Sequence, residues 1–367
     1  MNIECDKNKL CYAISNVQKA VAVRSSITAL EGILLTAKEN KLFLKGYNLE
    51  LGITAQIPAE ISKGGEIILN SKLFGDIIRN VPDEQITIKA DDNFITNIKS
   101  GLSEFSIAGM ESSEYPELPE VSKLSCVKIS SDVLKSMIKQ TIFAVSLNEA
   151  KPIYTGILFE INNQDIKLVA VDGCRLAVRT EKLLEDCNKT LKFVVPGKTL
   201  SELLKLLIDD ETVSIYLGDR HIVFETENFS VISRLLEGDF LDYKAAIPEG
   251  FKTKARVNTK NLVSCVERVS LMVTDRIKSP IRCIVDKNEI KVSCETAIGK
   301  ANDILEVISE GESLEIGFNN RYFLDALKNS DTDEVLIEFS GDKGPIKILP
   351  TASDDFLFLV LPVKLRV

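Results

Sequence analysis

Three stretches decide the reading of this 367-residue chain: EGILLTAKENKLFLKG (31–46), TGILFEINNQDIKLVA (155–170) and SPIRCIVDKNEIKVSC (279–294). Each reads as a strand, a short polar turn and a second strand. Gly32, Gly156 and Pro280 stand at equivalent points, 124 residues apart in both steps, and Leu42, Ile166 and Ile290 repeat that interval. Equal spacing at two independent positions marks an internal repeat.

The repeat extends in both directions. Downstream, LNSKLFGDIIRNV, VPGKTLSELLKLL and FNNRYFLDALKNS each carry a strand end into an amphipathic helix. Strand runs follow: ITIKA, VSIYL and VLIEF, then FSIAG, FSVISRL and FLFLVLP. Upstream, KNKLCYAISNVQKAVAV, SDVLKSMIKQTIFAV and TKNLVSCVERVSLMV open each unit with a helix. The chain is therefore expected to hold three copies of one α+β unit, each running helix, strands, helix, strands. Alternating, β-branched strand runs joined by short turns favour antiparallel sheets. ESSEYPELPEVSKLS (111–125) and YKAAIPEGFKTKA (243–255) read as linkers. They set expected domains at 1–120, 126–245 and 250–367.

Composition narrows the function. Hydrophobic residues make up 45 % of the chain, enough for a core in every unit. No apolar run approaches the roughly 20 residues that span a bilayer, and the polar start MNIECDKNKL is not a signal peptide. A cytoplasmic protein without membrane contact is expected. Eight cysteines are scattered without a CxxC pair, which fits reduced thiols better than disulfides. With His221 the single histidine, neither a metal site nor a bound cofactor is expected.

VDGCRLAV (171–178) crowds Asp172, Gly173, Cys174 and Arg175 into one turn. A cysteine nucleophile there would need a base, and only His221, at the start of the strand-like HIVFE, could serve. GxSxG, GxxxxGK[ST] and GxGxxG are all absent. A thiol enzyme built on Cys174 stays open as an alternative, but the motifs favour a protein without catalysis.

The net charge of −9 argues at first against a nucleic-acid partner. The six expected helices (Asp6–Val23, Ser71–Asn80, Ser131–Val145, Gly197–Ile208, Thr259–Val273 and Asn320–Asn329) nevertheless hold 13 basic and 6 acidic residues, which leaves −16 for the rest. Lysine on helix surfaces also serves solubility. However, Lys72, Lys198 and Arg321 occupy matching points near the start of each second helix, where the helix dipole favours anions instead. A shared basic face turned toward a polyanion accounts for the pattern. Repeated units that close on themselves make a ring; an open solenoid or linear scaffold without nucleic acid is the alternative.

The chain resembles the bacterial DNA polymerase III beta subunit family, the sliding clamps. VAVDGCRLAV carries the most specific part of the resemblance, with KPIYTGILFE, VPGKTLSELL, LLEGDFLDYKAAIP, LEIGFNNRYFLDAL and FLVLPVKL in support. The resemblance implies the DNA clamp fold: three similar domains, each with two helices lining a channel and antiparallel sheets outside, in a ring-shaped, head-to-tail homodimer. It implies a processivity factor that encircles double-stranded DNA without reading sequence. Its expected partners are the DNA polymerase III catalytic subunit, the clamp loader, other polymerases and repair proteins, each bound through a short peptide.

By match, the peptide pocket involves Tyr154, Val171, Gly173, Cys174, Arg175, Leu176, Leu241, Leu359, Val360, Leu361, Pro362 and Val363. Arg175 has two readings, a hydrogen-bond donor at the rim or an internal salt bridge with Asp172 or another carboxylate. Val171, Cys174 and Leu241 depart from the commoner Thr, His and Pro, changes that keep the lining small or apolar. The resemblance further implies Phe105, Met272 and Val273 at the dimer interface. Arg24, Lys72, Lys151 and Lys198 are the expected DNA contacts.

Overall fold

The computed structural model describes residues 1–123, 126–187, 189–274 and 279–365, so the last two residues of the first expected linker and the last two of the chain lie outside it. Among the described residues the six α-helices are α1 (Lys7–Val17), α2 (Ser71–Asn80), α3 (Ser131–Ile142), α4 (Gly197–Leu203), α5 (Thr259–Ser270) and α6 (Asn320–Lys328). Four have an Asx cap: the side chains of Asp6, Asn70, Asn258 and Asn319 accept first-turn N–H groups of α1, α2, α5 and α6. Such caps satisfy amide groups that the helix leaves unpaired. Except for α2, the helices end earlier than periodicity suggests. After α1 the chain tightens into a 3-10 turn at Gln18–Ala20, and only then does Val21 turn extended.

Two compact units form, one from Met1–Asp132 with Ser201–Leu235, the other from Val133–Leu200 with Leu236–Val367. The middle third of the chain thus contributes to both. In the first unit, a five-stranded antiparallel sheet ends on the strand Ser103–Ala108. An eight-stranded sheet is built from the first and middle thirds, which meet where Phe229–Arg234 pairs antiparallel with Leu51–Pro58, Val231 opposite Ile53.

The second unit repeats this scheme. Its nine-stranded sheet joins the middle and last thirds where Phe356–Val360 pairs with Arg175–Lys182, Leu359 opposite Leu176. Its four-stranded sheet ends on Gly299–Glu306.

The repeat seen in the sequence is a repeat of register. Leu42 faces Ala37, Ile166 faces Ile161 and Ile290 faces Val285, each across the tight turn of its hairpin. In the first hairpin Glu39 and Asn40 both have positive φ, the signature of a type I′ turn, whose twist matches the strands. The cores are apolar and dense, with Phe74, Phe159, Phe224, Phe318, Phe339 and Phe358 fully buried. Each such ring contributes about 1.5–3 kcal/mol through burial.

Candidate functional site

The turn between the strands Asp165–Val171 and Arg175–Lys182 is held by one side chain. Asp172 Oδ1 accepts the N–H groups of Cys174 at 2.9 Å and Arg175 at 3.1 Å, an Asx turn. Gly173 sits at φ +88°, and an added Cβ would meet nothing within 4 Å. Backbone conformation, rather than space, is what calls for glycine here. Cys174 is exposed, and its carbonyl accepts the Leu361 N–H at 2.9 Å, tying the turn to the C-terminal tail.

Beside the turn lies an apolar floor. Val171, Leu176 and Leu359 are buried in one cluster with Ile153, Val194 and Tyr243, while Tyr154, Phe240, Leu241 and Ile247 pack on it half-covered. Tyr154 meets Phe240 edge to face at 5.5 Å. The Tyr243 hydroxyl donates to Glu160 at 2.7 Å; burial, then this acceptor, pushes its pKa up, so it stays a neutral donor. From the floor the chain leads out to Leu361, 44 % exposed, and Val363, 39 % exposed. Pro362 between them is half-buried. Val360 differs from the sequence-based expectation: it is fully buried and stands apart from this cluster. Side chains alternate along a strand, so Leu359 and Val360 face opposite ways.

Arg175 turns inward. Its side chain is only 9 % exposed, with Nε donating to Asp172 Oδ2 at 2.8 Å and Nη1 to Asp325 Oδ2 at 2.6 Å. Its guanidinium lies 4.6 Å from the Tyr322 ring and 5.7 Å from the Phe143 ring. Of the two readings of Arg175, the geometry holds the internal salt bridge. Burial, then the nearby Asp172 charge, raises the pKa of Tyr322.

The remaining expected positions are scattered over both units. Arg24, Lys72, Lys151 and Lys198 are all exposed. Lys72, Lys198 and Arg321 are each the second residue of α2, α4 and α6. Lys151 holds its ammonium 5.9 Å from the Tyr154 ring, at the edge of the apolar floor. Phe105 lies on the open edge strand Ser103–Ala108 and is 37 % exposed. Met272 and Val273 follow α5 and are half-buried.

Ile153, Leu236, Phe240 and Ile247 also pack on the floor and were not singled out from the sequence. Leu236, Phe240 and Ile247 lie inside LLEGDFLDYKAAIP and Ile153 inside KPIYTGILFE, so the blocks pointed to them without naming them. No group of three His, Cys, Asp or Glu among the described residues could hold a metal ion.

Comparison with known proteins covers nearly the whole chain. Models of the DNA polymerase III beta subunit match in order: the N-terminal domain over residues 1–119, the central domain over 128–242 and the C-terminal domain over 244–364. The beta sliding clamp of Staphylococcus epidermidis is 35 % identical over 96 % of both chains. That of Bacillus subtilis is 32 % identical over 99 % of this chain and 100 % of its own. Among solved structures, the DNA polymerase sliding clamp of Bacillus subtilis superposes with a TM-score of 0.97 at 31 % identity, covering 100 % of both chains. The Pseudomonas aeruginosa sliding clamp bound to griselimycin gives 0.95 at 26 %, again over 100 % of both.

Proposed function

The chain belongs to the DNA polymerase III beta subunit family, the sliding clamps, and from that premise we propose that two copies close head to tail around duplex DNA and tether other proteins through the apolar groove beside Asp172–Arg175. Members of the family are non-catalytic processivity factors. The proposed domains are 1–120, 126–245 and 250–367, and the proposed place of work is the cytoplasm.

One observation carries the closure. Each junction between successive thirds is an antiparallel pair of the same kind: Val231 opposite Ile53, and Leu359 opposite Leu176. Two strands of those kinds, Ser103–Ala108 and Gly299–Glu306, each end a sheet with one side unpaired among the described residues. Open strand edges seek partners. Shifting the Val231–Ile53 pair back one repeat on one side and forward two on the other sets Ile107 of one copy opposite Ala301 of the second.

The helices give a second clue. Phe143, one residue past α3, packs edge to face on Phe358 at 5.1 Å. Leu271, one residue past α5, is its equivalent and is 73 % exposed. A second copy would cover it, and Leu271 joins Phe105, Met272 and Val273 as a proposed interface residue.

In this reading Arg24, Lys72, Lys151, Lys198 and Arg321 attract passing phosphates. Each water-screened contact is worth on the order of 1 kcal/mol at most, weak enough to exchange as the ring moves. Retention comes from topology. The groove takes leucine or phenylalanine anchors of peptide tails on the floor of Leu176, Leu359, Tyr154 and Leu241, an apolar site with few polar groups. The tails would belong to the polymerase catalytic subunit, the clamp loader, other polymerases and repair proteins. The test is retention after loading on circular DNA: the protein should stay on the closed circle and leave when one cut linearises it. Equal loss from both forms would refute encirclement.

A further inference from the structure

Resting on the reading of the groove as a peptide site, we infer that Asp325 on α6 is a positioning residue for it, acting through Arg175 and Asp172 on the Gly173–Cys174 turn. The Asp172 carboxylate works on both sides. Oδ1 holds the turn amides of Cys174 and Arg175, and Oδ2 takes Arg175 Nε at 2.8 Å. Arg175 is fixed in turn by Asp325 at 2.6 Å and by the Tyr322 face at 4.6 Å. The relay therefore runs from a helix of the last third to the groove's rim. Its far end reaches the tail, because Cys174 carbonyl accepts Leu361 N–H.

The internal repeat isolates this device. Asp76, Glu202 and Asp325 are each the sixth residue of α2, α4 and α6. Asp76 and Glu202 pair locally three residues on, Asp76 with Arg79 of the same helix at 2.7 Å and Glu202 with Lys205 just past the end of α4 at 2.8 Å. Asp325 instead reaches the turn. The residues equivalent to Arg175 are Leu51 and Gly299, and those equivalent to Tyr322 are Leu73 and Thr199, so neither other copy carries the cation or the ring. A side chain 9 % exposed between two carboxylates is costly to bury unless both stay engaged. Neutralising Asp325 leaves Arg175 to reorganise around Asp172, which loosens the hold on the turn amides.

The experiment titrates full-length protein with a fluorescein-labelled peptide bearing adjacent leucine and phenylalanine. Asp325→Asn should raise Kd about fivefold to tenfold, part of the worth of one charge-assisted hydrogen bond, and Asp325→Glu should recover most of it. Arg175→Gln should weaken binding, and adding Asp325→Asn to it should change nothing more.

Cys174 supplies a readout free of peptide. Its maleimide alkylation rate, read by peptide mapping, should shift in Asp325→Asn and stay constant in Asp76→Asn. Unchanged affinity and alkylation in Asp325→Asn, or additive losses in the double variant, would overturn the inference. Failure of the unaltered protein to bind the peptide would instead remove the groove reading, and the inference with it.

Discussion

At the scale of single residues, the groove depends on positions that do different kinds of work. Gly173 supplies a conformation: at φ +88° with nothing within 4 Å of an added Cβ, Gly173→Ala has room for its methyl but is strained by about 1–2 kcal/mol. Its melting temperature should fall and peptide affinity should drop; unchanged values for both would show that the turn tolerates another shape. Leu176 supplies volume. It is 4 % exposed, so Leu176→Ala should cost about 2–5 kcal/mol in denaturant unfolding.

Part of the apolar floor, Val171, Leu176 and Leu359, was legible in VDGCRL and in the tail, because matching blocks carry side-chain type. What those blocks leave out is partnership across the fold. Arg175 could equally have faced solvent until Asp325, 150 residues away, was brought to it. Phe143 and Tyr322 are ordinary aromatic residues in the sequence, and only the packing makes them the guanidinium's walls. Val360 belongs to the same tail but alternation buries it on the other side.

At the scale of elements, the repeat was readable because a hairpin fixes its own register. The interval between Leu42, Ile166 and Ile290 in the chain is the interval between their cross-strand pairs. Helix ends were less legible. Apolar periodicity continues through QKA after α1 and through LMV after α5, where backbone hydrogen bonding changes. How strands join between thirds lay beyond local pattern, since Phe229–Arg234 meets Leu51–Pro58 across most of the first unit's sequence.

The edge strands yield a test at this scale. Leu271→Asp or Phe105→Asp places a charge where the proposed contact excludes water. Native mass spectrometry should find the unaltered chain near twice 40.7 kDa and these variants near 40.7 kDa. A dimer that persists in both variants would exclude a contact through Phe105 and Leu271.

At the scale of the whole molecule, charge and stability can be separated experimentally. Replacing Lys72, Lys198 and Arg321 with glutamine should slow loading and weaken its salt dependence, with melting unchanged, because all three are exposed. A melting temperature lowered by several degrees would mean that they serve the fold.

His221 provides the pH test. Burial first, then Arg234 and Arg220, lowers its pKa below the ordinary 6.5, so the folded protein favours the neutral ring. Its contribution is complete above the unfolded value and is lost as pH falls through the lower folded one. Melting temperature should therefore decline between pH 7 and pH 5 by an increment that disappears in His221→Gln.

The junction between Phe229–Arg234 and Leu51–Pro58 has a consequence for assembly size. If the free edges obey the same pairing rule, no feature of either edge records how many copies have already joined. Stoichiometry then resides in curvature: two chains suffice only while the bend at every seam adds up to one full turn. A substitution that flattens an internal seam would leave recognition between copies intact and convert a closed pair into a growing filament.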